Sequence, residues 1–524
     1  MQRSPLTASW RRLPGPSSLC RRYSVRFPCQ VQPCEPIHTV ADLAASNLEA
    51  DVPNVEVCGW VRSVRKSSNV RFVDISDGSS MRPVQAVVDK SLAVELRPGA
   101  AVRLSGTWCN LHKLSDALET PKTTTTHELR VQHVDVLGPS NPQTYPIQNK
   151  YQTPESLRTI VHMRWRTPIN STLLRLRSDA ISLVTRFFFR RKFQQTHPPI
   201  ITSSDCEGAG EAFTLRAGTT DDFFRQPKYL TVSSQLHLEA QAQAVGNVWC
   251  LSPTFRAEKS DTCRHLSEFY MLEAEMSFVQ DMQHVMDLVQ QIMADLAQGL
   301  EKLSAATELR QNRLDSRNPA ETLAFADLVG AQELRRRWQG LVYPSRWPRI
   351  TYTEAIERLQ SVASKFEHQP VWGESLQSEH EKWLAEEIGR DETGDSLLPV
   401  FITHFPRTLK AFYMLRSSSP TAAGETVDCF DLVVPGLGEL AGGSMREHRL
   451  SELEDNMRLH GLRVPANSDN DENALAWYLD LRRWGCPPHG GFGLGFDRLL
   501  SYLSGVPNVR DVVPFPRHYG RCDC

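Results

Sequence analysis

The sequence lacks any apolar run near the roughly 18 residues that a membrane-spanning helix needs. It also lacks net charge, since 59 basic side chains against 61 acidic ones leave a formal charge of −2. Its 12 cysteines show no paired metal-ligand spacing, so free thiols in a reducing compartment are expected. These absences disfavour a membrane protein, a disulfide scaffold and a protein that binds polyanions through its overall charge.

Acidic residues are also missing from the first 34 positions, where the chain is rich in arginine and contains several serines. The segment has no apolar centre of the kind that a secretory signal requires. This composition is typical of an organellar transit peptide, so residues 1–34 are predicted to direct import into the mitochondrial matrix. A disordered basic tail is the alternative. Cleavage of residues 1–34 would remove six arginines and change the formal charge of the protein from −2 to −8. Any RNA contact of the mature protein must therefore come from local basic patches.

The most informative stretch runs from Thr254 to Val279 and reads TFRAEKSDTCRHLSEFYMLEAEMSFV. Two short alternating apolar segments enclose a polar turn, which predicts two antiparallel strands and an exposed loop. Charges of both signs are dense on the strand-like segments. Arginines beside carboxylates are typical of a nucleotide site, where guanidinium groups hold phosphate. A solvated hairpin with surface ion pairs is the alternative.

This hairpin resembles motif 2 of the class II aminoacyl-tRNA synthetases, and within them the aspartyl, asparaginyl and lysyl group. The succession FRAE, RH, EF and E-x-E carries the resemblance. A long helical pattern before Pro198 and Pro199 resembles motif 1, the dimerisation element, and GGFGLGFDRLL at 490–500 resembles motif 3. The resemblance covers about residues 50–520. It implies an α+β fold, with an antiparallel catalytic sheet flanked by helices, and a homodimer.

Residues 50–138 contain several short alternating strands separated by turns, the pattern of a small OB-type β-barrel. Ahead of motif 2, such a barrel is similar to the anticodon-binding domain of this synthetase group. The resemblance implies that Phe72 stacks on an anticodon base of the tRNA and that Gln85 reads a base edge. For Phe72 a place in the barrel core is the alternative.

The rest of the chain is divided by its proline content and its periodicity. Residues 139–167 are rich in proline and predict a hinge with one short helix, whose arginines are hypothesised to touch the tRNA stem. Residues 168–524 are predicted to form the class II catalytic domain. Within it, a charged helical stretch at about 281–400 is expected to be an insertion and scaffold without chemistry of its own.

The resemblance implies amino-acid activation, in which the substrate carboxylate attacks the α-phosphorus of ATP and the tRNA then receives the aminoacyl group. Arg256 would hold the α-phosphate and the substrate carboxylate. Glu258 would accept a hydrogen bond from the adenine amino group, and Phe269 would stack on the ring. His265 and Arg498 would contact the γ-phosphate. No enzyme nucleophile is needed, because positioning and charge neutralisation carry such a reaction.

Two carboxylates, Asp431 and Glu439, bracket a glycine-containing turn in the segment DCFDLVVPGLGELAGGSMREHR. Acids near a turn are usually only solvated. The flanking GELAGGSMRE is similar to a segment of the family, however, and this implies that both carboxylates bind Mg²⁺, a cation that takes one or two carboxylates plus phosphate oxygens.

Five residues are implied to form the amino-acid pocket. Glu207 lies in a loop over the pocket, and Ser233 and Gln235 lie on a strand near the substrate's α-ammonium group. Glu273 occupies a position that is typically Asp in aspartyl enzymes and Glu in asparaginyl ones. Its carboxylate accepts from a carboxamide but repels a second carboxylate, and Arg446 would donate to the side-chain carbonyl oxygen. Asparagine and tRNA(Asn) are therefore the predicted substrates.

Two departures and three alternatives accompany this prediction. Cys263 stands where relatives often have arginine, and Asp497 stands where many asparaginyl enzymes have Glu. An aspartyl-tRNA synthetase is disfavoured by Glu273 and by the lack of a lysine just after Gln235. An ammonia-dependent asparagine synthetase would lack the barrel. A catalytically inactive RNA-binding paralogue would be expected to lose the motif residues that are intact here.

Overall fold

The structure is a computed structural model, and residues 38–524 form one compact unit. It describes residues 38–46, 50–111, 127–148, 150–203, 212–216, 223–224, 226–311, 319–343, 347–418, 422–464 and 475–524. The predicted transit peptide lies outside these ranges. Within them, no helix combines the length and the apolar character that crossing a membrane requires. All eight cysteines in the described ranges are free thiols, as their spacing predicts.

A closed five-stranded barrel forms the N-terminal part of this unit. Its elements are α1 (Val40–Ala45), β1 (Val52–Lys66), β2 (Val70–Ser76), β3 (Val84–Asp89), β4 (Ala101–Asn110) and β5 (His127–Gly138). The strands neighbour one another in the order β1-β2-β3-β5-β4. Successive side chains of a strand point to opposite faces, so Val73 and Ile75 are buried inside while Phe72 and Asp74 lie outside. The predicted barrel is confirmed.

The linker contains one short helix, α2 (Pro154–Arg158), and a 3-10 turn at Arg164–Arg166. The guanidinium of Arg164 is only 1% exposed and lies 3.2 Å from Asp511, which also accepts from Arg158 at 2.6 Å. Burial lowers the pKa of Arg164 to about 10. A side chain enclosed in this way cannot reach a tRNA stem, so that hypothesis is wrong for Arg164.

The long helical pattern forms α3 (Pro168–Arg190), in which proline occupies the first turn as predicted. Its apolar stripe, including Leu176, Ala180 and Phe187, is buried in the main core. The helix ends well before Pro198, because the chain leaves the helical conformation at Lys192, where φ is 61°. The ring of Phe188 then stacks on Trp249 at 4.7 Å and fixes the helix to the sheet behind it.

The strands after the linker form two sheets. They are β6 (Gln194–Gln195), β7 (Ile201–Thr202), β8 (Thr214–Leu215), β9 (Lys228–Leu230), β10 (Asn247–Phe255), β11 (Glu268–Ser277), β12 (Arg349–Thr351), β13 (Val400–Thr403), β14 (Cys429–Val434), β15 (Gly438–Met445) and β16 (His489–Gly495). The larger sheet has the order β12-β13-β14-β15-β16-β11-β10-β6, and β7-β9-β8 form the smaller one. In the larger sheet only the two outermost pairs are parallel. Strands β10 and β11 are the predicted antiparallel hairpin.

Helices flank the larger sheet. They are α4 (Gln235–Val245), α5 (Met282–Leu300), α6 (Ser304–Gln311), α7 (Pro319–Ala326), α8 (Ala331–Val342), α9 (Tyr352–Gln360), α10 (Ser378–Ile388), α11 (Leu450–Leu459), α12 (Ala476–Arg483) and α13 (Phe496–Ser504). Helix α5 places Val285, Val289 and Ile292 in the main core, so the stretch at 281–400 supplies a layer of the fold. The helical content predicted there is present, while the domain boundaries stay a prediction.

The buried Arg164 generates a stability prediction. Replacement of Asp511 by alanine removes its carboxylate partner, and an unpaired buried charge costs about 3 kcal/mol of unfolding free energy. We expect Asp511→Ala to lower the urea midpoint clearly. The matched control Asp295→Ala breaks an exposed pair with Arg190 and should cost about 1 kcal/mol or less. Equal midpoints for the two variants would contradict the structural role of Asp511.

Candidate active site

The loop between β10 and β11 carries most residues predicted to bind ATP. Strand β10 ends at Phe255 and β11 begins at Glu268. Arg256, Glu258 and His265 therefore lie in the loop, whereas the sequence had placed the charged residues on strand-like segments. The hairpin stays closed because the amide of Arg256 donates to the carbonyl of Ser267 at 3.0 Å. These side chains therefore project from a loop that a rigid hairpin anchors at both ends.

Within this loop the predicted residues lie close to one another. The Nε2 atom of His265 is 3.8 Å from Glu258, and its Nδ1 atom is 2.6 Å from the hydroxyl of Thr262. Burial, with the nearby arginines, lowers the pKa of His265 despite the opposing charge of Glu258. The guanidinium of Arg256 lies 5.7 Å from the ring of Phe269, the predicted adenine platform.

Glu381 of α10 enters the same region, although no chemistry was expected in the stretch at 281–400. Its carboxylate accepts from Arg264 at 3.0 Å and from the backbone amide of Glu439 at 3.3 Å. Burial and the charge of Glu439 raise the pKa of Glu381. Sequence reasoning missed this residue because an acid in a charged helix carries no sign of what it will face.

The two predicted metal carboxylates converge at β15. A methyl group on Gly442 would lie 3.5 Å from Oδ1 of Asp431 and 3.6 Å from Oε1 of Glu439, so the two groups flank the same glycine. Lys410, a residue that the sequence did not single out, donates to both oxygens of Asp431 at 2.7 and 2.8 Å. Burial raises the pKa of Asp431 even against this charge.

Arg498 of α13 contacts one member of this pair, Glu439. Its guanidinium donates to the carbonyl of Glu439 at 3.0 Å and lies 4.0 Å from the carboxylate of the same residue. Burial opposes ionisation of Glu439, but Arg498 and Lys410 outweigh it and hold the pKa of Glu439 below its ordinary value. The structure thus brings Arg498 of motif 3 next to Glu439 of β15, while their predicted roles toward ATP and Mg²⁺ stay predictions.

Glu273 is enclosed by its own protein partners. It is 2% exposed and accepts from the Ser233 hydroxyl at 2.6 Å and from the amide of Ser234 at 3.0 Å. Burial raises its pKa above the ordinary value. Ser233 and Glu273 are thus brought together, as predicted, but much of the acceptor capacity of Glu273 is already used.

Arg446 is paired with Glu275, a residue that the sequence analysis did not assign to the pocket. Its guanidinium donates to both oxygens of Glu275 at 3.2 and 3.0 Å, deep in the sheet. The E-x-E spacing was the available signal, since residues two apart on a strand share a face. A side chain at Gly491 of the neighbouring β16 would overlap the Glu275 carboxylate, so glycine there makes room for the pair.

The resemblance implied that Ser233 and Gln235 lie on a strand, and this is wrong: Ser233 lies between β9 and α4, and Gln235 begins helix α4. Its amide donates to Glu239 one turn later at 3.0 Å, which fixes the amide orientation. Glu207 lies outside the described residues.

The predicted anticodon residues share the outer face of the barrel. Phe72 is half-buried and does not belong to the barrel core formed by the described residues, so the alternative for this residue is wrong. Arg65 of β1, which the sequence analysis did not mention, lies 5.7 Å over the Phe72 ring and donates to Gln85 at 2.7 Å. Aromatic, guanidinium and amide groups thus form one surface suited to bases.

Asp497 has a structural role. It accepts from Arg177 of α3 at 2.5 Å and from the amide of Tyr270 at 2.7 Å, and so links motifs 1, 2 and 3. The acid at this position therefore carries no information on the substrate side chain. Cys263 is exposed in the β10–β11 loop.

Residues 154–519 match the family described as tRNA synthetases class II (D, K and N). The chain belongs to this family. Residues 55–113 match the OB-fold nucleic acid binding domain. The predicted architecture of this class II synthetase, a barrel followed by a catalytic sheet with helices, is therefore confirmed. ATP use follows from the family.

Similar proteins are found among curated sequences and solved structures. The mitochondrial asparagine–tRNA ligase of Saccharomyces cerevisiae is 38% identical over 485 residues, 88% of this chain and 92% of the relative. That of Schizosaccharomyces pombe is 38% identical over 478 residues, 89% and 94%. The asparaginyl-tRNA synthetase of Pyrococcus horikoshii, solved with asparaginyl-adenylate, has a TM-score of 0.73 and 28% identity, covering 93% of this chain and 99% of that one.

The contacts of Glu381 predict a selective effect on ATP. Glu381→Gln removes a charged acceptor from Arg264 and from the Glu439 turn, so the KM for ATP should rise about 10-fold. The KM for the amino acid should stay unchanged. Steady-state pyrophosphate exchange measures both. Glu379→Gln on the same helix is the matched control, because the Glu379 carboxylate accepts from the backbone amides of Glu367 and His368 and not from Arg264 or Glu439 in the described part of the chain. An unchanged KM for ATP would show that Glu381 does not contribute to ATP binding.

Proposed function

We propose that this class II synthetase is an asparagine–tRNA ligase. It joins asparagine to ATP to form asparaginyl-adenylate and then transfers the asparaginyl group to the 3′ end of tRNA(Asn). The asparagine–tRNA ligases among the similar proteins support this proposal, and so does the chemistry of the buried charges in the larger sheet.

The observation that carries the proposal is the Arg446–Glu275 pair. A carboxamide side chain has an acceptor oxygen and an NH₂ group with two donor hydrogens, which suit a guanidinium and carboxylates respectively. An aspartate side chain would instead bring another negative charge to a face that already holds Glu273 and Glu275. Sites with such polar complementarity discriminate by about 10⁴ to 10⁵. We assign Arg446 to the carbonyl oxygen, and Glu275, together with Glu273, to the amide end.

Activation needs no nucleophile from the protein, because the asparagine carboxylate attacks the α-phosphorus itself. Arg256 holds that phosphate and the attacking carboxylate close together, while Glu258 and Phe269 bind adenine. His265 and Arg498 neutralise the γ-phosphate. Fixed donors of this kind stabilise charge that develops on the departing pyrophosphate.

Asp431 of β14 and Glu439 of β15 fit a magnesium ion, since two carboxylates that converge at Gly442 leave the remaining positions to phosphate and water. Bound Mg²⁺ would neutralise phosphate charge. Lys410 already balances Asp431 when no metal is bound, and Arg498 does the same for Glu439.

The protein is further proposed to act as a homodimer in the mitochondrial matrix. Its dimer surface would include α3, where Phe189 is 80% exposed and Ile181 is also exposed. The matrix location rests on the arginine-rich, acid-free residues 1–34 and on the mitochondrial proteins among its relatives.

Pyrophosphate exchange with the purified full-length chain tests the activation step. Exchange should depend on asparagine and ATP, with aspartate at least about 10⁴-fold poorer in kcat/KM. Exchange driven by aspartate would support the aspartyl alternative. Exchange with neither amino acid would support the inactive RNA-binding paralogue.

The barrel surface predicts an effect on tRNA alone. Phe72→Ala should raise the KM for tRNA(Asn) in aminoacylation about 10-fold, since a stacked base contributes about 1–3 kcal/mol. Asparagine-dependent pyrophosphate exchange should not change, because it needs no tRNA. Leu137→Ala, an exposed apolar residue elsewhere on the barrel, is the control. A loss of exchange would mean that the barrel substitution disturbs the catalytic part.

A further inference from the structure

Five charged side chains are buried together behind the proposed amino-acid pocket, and the mechanism above uses only two of them. They are Glu239 of α4, Glu275 of β11, Arg446 after β15, Arg482 of α12 and His489 of β16. Buried charges of this number are costly unless each is paired, so their arrangement has a function or a strong structural reason.

Glu239 is the centre of this cluster. Its Oε2 atom accepts from Arg482 at 2.6 Å, from the Tyr478 hydroxyl at 2.8 Å and from His489 at 3.1 Å. Its Oε1 atom accepts from Gln235 at 3.0 Å. One carboxylate therefore holds the predicted α-ammonium ligand and also meets two cations from other elements.

Glu239 also attracts Arg446 electrostatically. Burial disfavours the ionised form of Glu239, but Arg482 and His489 outweigh it and lower its pKa, with a smaller contribution from Arg446. Burial also opposes protonation of His489, yet contacts with Cys486 and Glu239 raise its pKa to about 9. At neutral pH the three cations Arg446, Arg482 and His489 therefore face Glu239 and Glu275 within the cluster, and Glu273 alongside it.

Removal of the Glu239 charge would leave Arg482, whose guanidinium stays ionised, without its carboxylate partner behind the pocket. A surplus cation next to Arg446 attracts a substrate with an anionic side chain, and in a site closed to water this attraction is weakly screened. The same removal would release Gln235. The first effect changes which amino acid is preferred, while the second weakens binding of any amino acid.

We propose that Glu239 is a positioning residue that determines specificity: its carboxylate orients Gln235 and cancels cationic charge behind Arg446, so that aspartate gains nothing by entering the pocket. This inference rests on the proposed activation of asparagine.

The test compares Glu239→Gln with wild type in pyrophosphate exchange with asparagine and with aspartate. The ratio of kcat/KM for asparagine over aspartate should fall about 10-fold or more, the effect of one unit charge at about 10 Å and an effective dielectric constant near 20. The kcat/KM for aspartate itself should rise. The KM for asparagine should increase more than kcat decreases, because Gln235 loses its partner.

Glu308→Gln is the matched control. Glu308 accepts from Ser80, Met81 and Arg175 at the junction of barrel and α3, far from the pocket in the fold, so the ratio should stay at the wild-type value. If Glu239→Gln lowers the kcat/KM of both substrates by the same factor, Glu239 is only structural and the proposal is overturned.

Two further variants keep the proposal testable if Glu239→Gln does not fold. Glu239→Asp retains the charge and should keep the discrimination. Arg482→Gln changes the charge in the opposite sense, so aspartate should be rejected at least as strongly as by wild type. A fall in the ratio for either variant would contradict the charge argument. Wild-type chain without asparagine-dependent exchange would instead overturn the proposed function.

Discussion

The constraint on which this structure depends is the burial of opposite charges in the middle of the larger sheet. Arg446 is buried, and a guanidinium in that position is tolerable because Glu275 accepts two hydrogen bonds from it and the Ser444 hydroxyl accepts a third. The neighbouring strand must then carry glycine at 491, since any side chain there would collide with the carboxylate. The glycine at position 491 of β16 thus follows from the need to accommodate this ion pair.

The same pairing of opposite charges recurs at the face of the sheet that is proposed to bind ATP. Glu381, Asp431 and Glu439 come from a helix and two strands, and each faces a cation from another segment: Arg264, Lys410 or Arg498. These cations can exchange a carboxylate for a phosphate when the triphosphate binds, because both groups accept charge-assisted hydrogen bonds from arginine and lysine. The buried pair at Arg446 has no such freedom. A rigid side-chain pocket beside an adaptable phosphate site suits an enzyme that must be strict about one substrate.

The sequence predicted the barrel, the helix α3 and the motif 2 hairpin, because alternation and helical periodicity are local properties of the chain. It also gave the positions of Arg256, Arg498 and Arg446, through a resemblance carried by short motifs. Glu275, Glu381 and Glu239 were not predicted, since each matters through a partner more than 100 residues away in the chain. Asp497 was given weight for specificity, although its contacts with Arg177 and the Tyr270 amide make it a link between motifs. Contacts of this range depend on strand order and register, which no local pattern specifies.

The central claim is that the Arg446–Glu275 pair reads the side chain of asparagine. A crystal structure with a non-hydrolysable asparaginyl-adenylate analogue tests it most directly. The account predicts a guanidinium nitrogen of Arg446 at about 2.9 Å from the side-chain carbonyl oxygen, while Glu275 keeps its contact with Arg446. If the asparagine side chain of the analogue binds elsewhere in the pocket, and Arg446 donates hydrogen bonds only to protein groups, the account is contradicted.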